Sequence, residues 1–140
     1  MKAPQMTATA QIRLADTVTA TPRLILQAEG AALLAAATLA YAQLDGNWLK
    51  FAFLFLTPDV FMLGYLISPR LAAATYNLGQ STLAPLALMG AALMGGLPML
   101  GIGLIWLGHV GFDRLVGYGL KYPDAFQHTH LGTPFAKAQR

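Results

Sequence analysis

From Leu24 to Val116 the chain is apolar almost throughout, interrupted only by a glycine, a proline or a short polar turn. A chain of 140 residues has too little interior to hide such a run from water. A helix crosses a hydrocarbon core of about 30 Å with about 20 apolar residues. Four stretches meet that requirement: 24–42, 48–67, 71–94 and 97–116. The sequence therefore predicts an all-α, four-helix transmembrane bundle over 24–117. Residues 1–23 are expected as an N-terminal tail and 118–140 as an interfacial C-terminal segment. The third stretch contains Pro85 and ends in Gly95-Gly96, so the third and fourth helices should form a tight antiparallel hairpin.

Composition agrees. Hydrophobic residues make up 56% and charged residues 11%, whereas soluble domains carry about 25% charged. Cysteine is absent, which excludes disulfides and thiolate metal sites. The net charge of +3 does not point to nucleic acid, because the basic residues flank apolar segments. Four spans place Lys2, Arg13, Arg23, Arg70, Arg114, Lys121, Lys137 and Arg140 on one side and Lys50 alone on the other. Positive charge collects on the cytoplasmic face, so both termini are expected there. Residues 1–23 lack the apolar core of a signal peptide and read as a retained tail.

A charged group at the centre of a bilayer costs about 2.5–3.5 kcal/mol on insertion scales, so polar residues inside spans usually face a bundle interior. Glu29, Asp59, Asn77 and His109 all fall about 7–12 Å from the cytoplasmic edge at about 1.5 Å per residue. Asp113 and Arg114 fall nearly at that edge. His109 and Asp113 share one face of the fourth helix with Trp106. Asn77, Gln80 and Ser81 share a face of the third, where Asn77 and Gln80 also suit interhelical hydrogen bonding. Pro58 removes a backbone donor beside Asp59 and frees a carbonyl near Leu54. Glycines 101, 103, 108 and 111 permit close approach of another helix. Trp48, Phe51, Phe53, Phe55, Phe61 and Tyr65 read as lipid-facing.

Glu29, Asp59, Asn77, His109, Asp113 and Arg114 form the candidate polar cluster. Glu29, Asp59, His109 and Asp113, joined by His128 and His130 folding back from the C-terminal segment, are possible metal ligands. The Glu-x-x-His repeats of di-iron bundles are missing. Proton relay or acid–base chemistry on a lipid-soluble substrate suits the same residues, while each also has a plain reading as a packing contact. No hydrolase elbow, P-loop or dinucleotide fingerprint occurs in a suitable context.

Leu63-Gly64-Tyr65, Pro69-Arg70, Tyr76-Asn77, the run Ile105-Trp106-Leu107-Gly108-His109-Val110-Gly111-Phe112-Asp113-Arg114, then Gly117-Tyr118-Gly119-Leu120-Lys121-Tyr122-Pro123 and His130-Leu131-Gly132 resemble the DUF4260 family. The resemblance covers roughly 24–134. It implies a small bacterial inner-membrane protein with four helices and brings no activity or catalytic residues. At Gln80, where the family is expected to carry histidine, the chain departs from the pattern, which argues against a shared histidine-rich metal site. Two functions stay open. The sequence favours a subunit or scaffold that contacts lipid and other membrane proteins. The alternative is a small membrane enzyme or an ion- or proton-handling protein built on the polar cluster.

Overall fold

The computed structural model describes residues 20–44, 46–123 and 129–132, and within them the fold is helical, with a single isolated β-bridge and no strand. Most of the expected N-terminal tail, together with Asp45, His128 and residues 133–140, lies outside the described residues. Helix α1 spans Ala20–Leu44 and α2 Trp48–Phe55; a 3₁₀ helix follows at Thr57–Leu66; α3 spans Pro69–Gln80, α4 Leu83–Leu93 and α5 Leu97–Val116. Among the described residues, three segments are long and apolar enough to cross a membrane: 21–44, 48–66 and 98–116.

Helices α1 and α5 pack through glycine. A Cβ on Gly30 would lie 2.7 Å from the Gly111 carbonyl, and one on Gly111 would lie 2.7 Å from the Gly30 carbonyl. The backbones touch there, which only small residues allow. Further along, Gly108 meets Ala37 and Leu34, and Gly101 meets Tyr41. Gly103 faces the other way, onto Met89 and Pro85 of α4. Outward-facing positions carry Leu39, Phe53, Leu66, Ile67, Leu83 and Met94, among other large apolar side chains. An apolar exterior around a small-residue interior is the arrangement lipid selects.

The second expected span is two pieces. Pro58 cannot donate to Leu54, and its ring crowds that carbonyl, so α2 ends at Phe55. The freed Leu54 carbonyl accepts from the Leu56 N–H, and the Thr57 hydroxyl donates to Phe53 O at 3.4 Å. The chain continues as ten residues of 3₁₀ helix, long for a form usually limited to about 3–4 residues. Its signature is exposure every third residue: Val60, Leu63 and Leu66 face outward. Asp59, Met62 and Tyr65 are only partly exposed on another side.

The third expected span is also not continuous. Pro85 would clash with the Ser81 carbonyl one turn earlier, so the helix breaks at Ser81-Thr82, and Pro85 sits instead in the first turn of α4. The break leaves Gln80 as the last residue of α3. The start of α3 is set by Ser68, whose hydroxyl accepts from Leu71 N at 3.1 Å, with Pro69 in the first turn. The Thr75 hydroxyl donates to Phe61 O at 2.9 Å, tying α3 to the 3₁₀ helix.

The aromatic reading needs correction. Trp48 and Phe53 face outward, but Phe51, Phe55, Phe61 and Tyr65 turn partly inward. Phe51 packs on Tyr41, Phe55 on His109 and Phe61 on Trp106. Phe51 and Phe55 are four apart on the face of α2 turned toward α5, so burial follows from helical phase rather than composition.

Candidate functional site

Trp106, His109 and Asp113 form one stripe along α5, and the stripe faces the C-terminal end of α3. The Trp106 indole donates to the Gly79 carbonyl at 2.6 Å, satisfying a backbone acceptor where α3 stops. Next to it the Gln80 carboxamide nitrogen lies 2.9 Å from His109 Nε2 and donates to Asp113 Oδ2 at 2.7 Å. Asp59 reaches the same place from the first turn of the 3₁₀ helix. His109 Nε2 lies 3.4 Å from Asp59 Oδ1 and 3.2 Å from Asp113 Oδ2. His109 is 2% exposed, Gln80 4% and Asp113 9%; the Asp59 side chain is more open, at 45%.

Two arrangements satisfy these contacts. With the carboxamide nitrogen toward it, His109 Nε2 accepts from Gln80; with the carboxamide turned, the same nitrogen donates to Asp113 or Asp59. Nδ1 is buried and makes no hydrogen bond. The Phe55 backbone faces the same ring. Two carboxylate oxygens and an imidazole nitrogen converge, within 4.8 Å of one another. Convergent acceptors repel unless positive charge lies between or beside them.

The C-terminal segment supplies one such charge. Gly117, in the left-handed conformation at φ 97°, ends α5, and Tyr118 N donates back to Asp113 O at 2.7 Å. This glycine-terminated cap reverses the chain over the site. Asn77 clamps the returning strand: its Nδ2 donates to Lys121 O at 2.9 Å and its Oδ1 accepts from Lys121 N at 2.6 Å. Lys121 also pairs with Thr129 in an antiparallel bridge, and Leu131 is fully buried. The Lys121 ammonium lies 4.1 Å from the centre of the Tyr76 ring and 5.2 Å from that of Tyr65. Burial lowers its pKa from 10.5 to about 8, against the attraction of Asp113 and Asp59.

Of the sequence candidates, Asp59, His109 and Asp113 meet. Glu29 is exposed and faces Arg114 across the glycine seam rather than the cluster. Asn77 holds the returning strand, not the imidazole. Asp113, expected at the surface, is buried because the chain beyond Gly117 folds back. His130 stays with that strand: its Nδ1 accepts from Leu120 N at 2.9 Å, and burial lowers its pKa. Gln80, expected as interhelical glue, lies at the centre of the cluster, with Lys121 beside it. A polar residue one turn from Asn77 in an apolar stretch was the available signal for Gln80. Nothing local marks Lys121.

Residues 23–133 match the DUF4260 family, described as a domain of unknown function, and the chain belongs to that family. No curated protein and no solved structure matches the chain.

Proposed function

We propose that this protein is a four-span inner-membrane protein with both termini in the cytoplasm, and that its buried cluster binds a cation entering from the cytoplasmic side. The convergence of Asp59 Oδ1, His109 Nε2 and Asp113 Oδ2 carries the reading. Three acceptors brought together by two separate elements need a positive species, and such intramembrane groups mark ion or proton pathways. The third crossing consists of α3 and α4 in series, broken where backbone lines the site, as membrane proteins tolerate only in their interiors. A scaffold role draws on small size and on glycine-rich faces that could receive a partner. Gly101, Gly108 and Gly111 are occupied by α1 and Gly103 by α4, which favours the ion-handling reading over it.

Cation binding predicts that the stability of the detergent-solubilised full chain responds to added monovalent or divalent cations, or to pH below about 7, where Lys121 stays charged. The double variant Asp59→Asn/Asp113→Asn should lose that response. A wild-type unfolding midpoint indifferent to pH and to every cation tried would refute the reading. Orientation is tested separately, since the chain has no cysteine of its own. Gln43→Cys should react with an impermeant thiol reagent in intact cells and Arg70→Cys should not; the reverse pattern overturns the topology.

A further inference from the structure

Ligand spacing narrows the cation. Six-coordinate ions bound at about 2.1 Å place adjacent ligand atoms about 3.0 Å apart, and tetrahedral zinc at about 2.0 Å places them about 3.3 Å apart. The imidazole nitrogen here lies 3.2 and 3.4 Å from the two carboxylate oxygens. An excess proton needs only one donor and one acceptor, so it gives no reason for three acceptors to share one vertex. His109 and Asp113 sit one turn apart on a rigid helix, and Asp59 is fixed beside Pro58 where the backbone changes form. Gln80 adds an independent observation. Its side chain is buried, and its amide nitrogen lies within hydrogen-bond distance of two of the three ligand atoms. An electropositive group therefore already stands where a cation would bridge them. A half-turn of the carboxamide presents Oε1 instead, an oxygen ligand of ordinary type.

The donor types decide the class. Imidazole nitrogen disfavours magnesium and calcium, which prefer all-oxygen shells, and the absence of cysteine disfavours copper(I). Two carboxylates, one imidazole and one amide suit manganese(II), iron(II) or zinc(II). Metal-bound histidine normally donates its other ring nitrogen to a carbonyl or carboxylate. His109 Nδ1 is buried without a bond, and the backbone of Phe55, the last residue of α2, faces the same ring. A small ring shift on metal binding would let the ring N–H reach that backbone.

Resting on the cation reading above, we infer that Asp59, His109, Asp113 and Gln80 form a site for one divalent first-row transition ion. The test uses the full chain in mild detergent, stripped with a chelator and titrated with Co²⁺ and Mn²⁺. Visible d–d absorption reports Co²⁺ binding, and loss of the free-ion resonance reports Mn²⁺ binding. One ion per chain is expected, with affinity about tenfold or more weaker in His109→Gln and Asp59→Asn. Asp59→Asn guards against misfolding, since its side chain is half open. Absence of binding by both ions, or equal binding in both variants, overturns the metal site. If the stability of the wild-type chain still responds to pH below about 7 and the Asp59→Asn/Asp113→Asn chain does not, cation handling stands without a metal. If that response is missing as well, both readings fall.

Discussion

Helices α1 and α5 and the chain between them solve the same problem in opposite ways. The two long helices, 25 and 20 residues, are continuous and satisfy their own backbones, so their contact needs only small residues and good fit. The stretch from Trp48 to Leu93 is interrupted at Pro58 and again before Pro85. Its loose backbone groups have to be satisfied from elsewhere: Thr57 serves Phe53, Thr75 serves Phe61, and Trp106 serves Gly79. In lipid an unsatisfied carbonyl is costly. The breaks are therefore turned inward, and the polar residues beside them, Asp59 and Gln80, turn inward with them. The regular pair supplies a rigid frame, and the broken stretch brings Asp59 and Gln80 against His109 and Asp113 of α5.

That contrast is most easily broken at the seam. Gly111→Val places methyl groups against the Gly30 carbonyl and the Leu34 nitrogen, both backbone atoms that cannot yield. Overpacking usually costs about 1–3 kcal/mol, and this variant should reach or exceed the upper end, measured as loss of folded chain in a detergent-unfolding titration. Gly90→Val meets nothing within 4 Å and should be near neutral. Comparable losses in both would show that the seam is not the frame.

Within the site the two aspartates should differ. Asp113→Ala strips a buried carboxylate from both Gln80 and His109 and should cost about 3 kcal/mol, the low end for breaking a buried pair. Asp59→Ala, with a half-open side chain, should cost less than about 1 kcal/mol, as exposed pairs do. This reverses the order that sequence depth implies, and the opposite ranking by thermal unfolding would return Asp113 to the interface.

The effect confined to alkaline pH belongs to the returning segment, where attraction from Asp113 and Asp59 and the faces of Tyr65 and Tyr76 partly offset the burial of Lys121. Its pKa is about 8 in the folded chain, against 10.5 for a lysine free in water. Between those values the unfolded chain binds more protons, so stability should rise with pH across that window. Below about pH 8 the full cost of burying the ammonium is present. Lys121→Met should flatten the rise in unfolding experiments spanning about pH 7.5 to 10; an unchanged slope would assign it to another group.

Much of this was fixed by local chemistry. Apolar length set the candidate spans, Pro58 and Pro85 set where two of them break, and Gly117 set where α5 ends. The i,i+4 spacing of His109 and Asp113 put both on one face. The 3₁₀ form of 57–66 has no such trace: its period of three appears only as exposure of Val60, Leu63 and Leu66 in the folded chain. Which polar residues meet was settled later, by packing in three dimensions. Depth along a helix axis is a one-dimensional measure and carries no information about rotation around it. Glu29 and Asp59 share a depth, yet α1 presents Glu29 toward Arg114 while the 3₁₀ helix turns Asp59 toward His109. Gln80 entered the cluster because a break stopped its helix there, and Lys121 because the chain reversed at Gly117 and Asn77 held it. Those outcomes depend on contacts between residues far apart in the chain, such as Asn77 with Lys121 and Gln80 with His109, which no local pattern encodes.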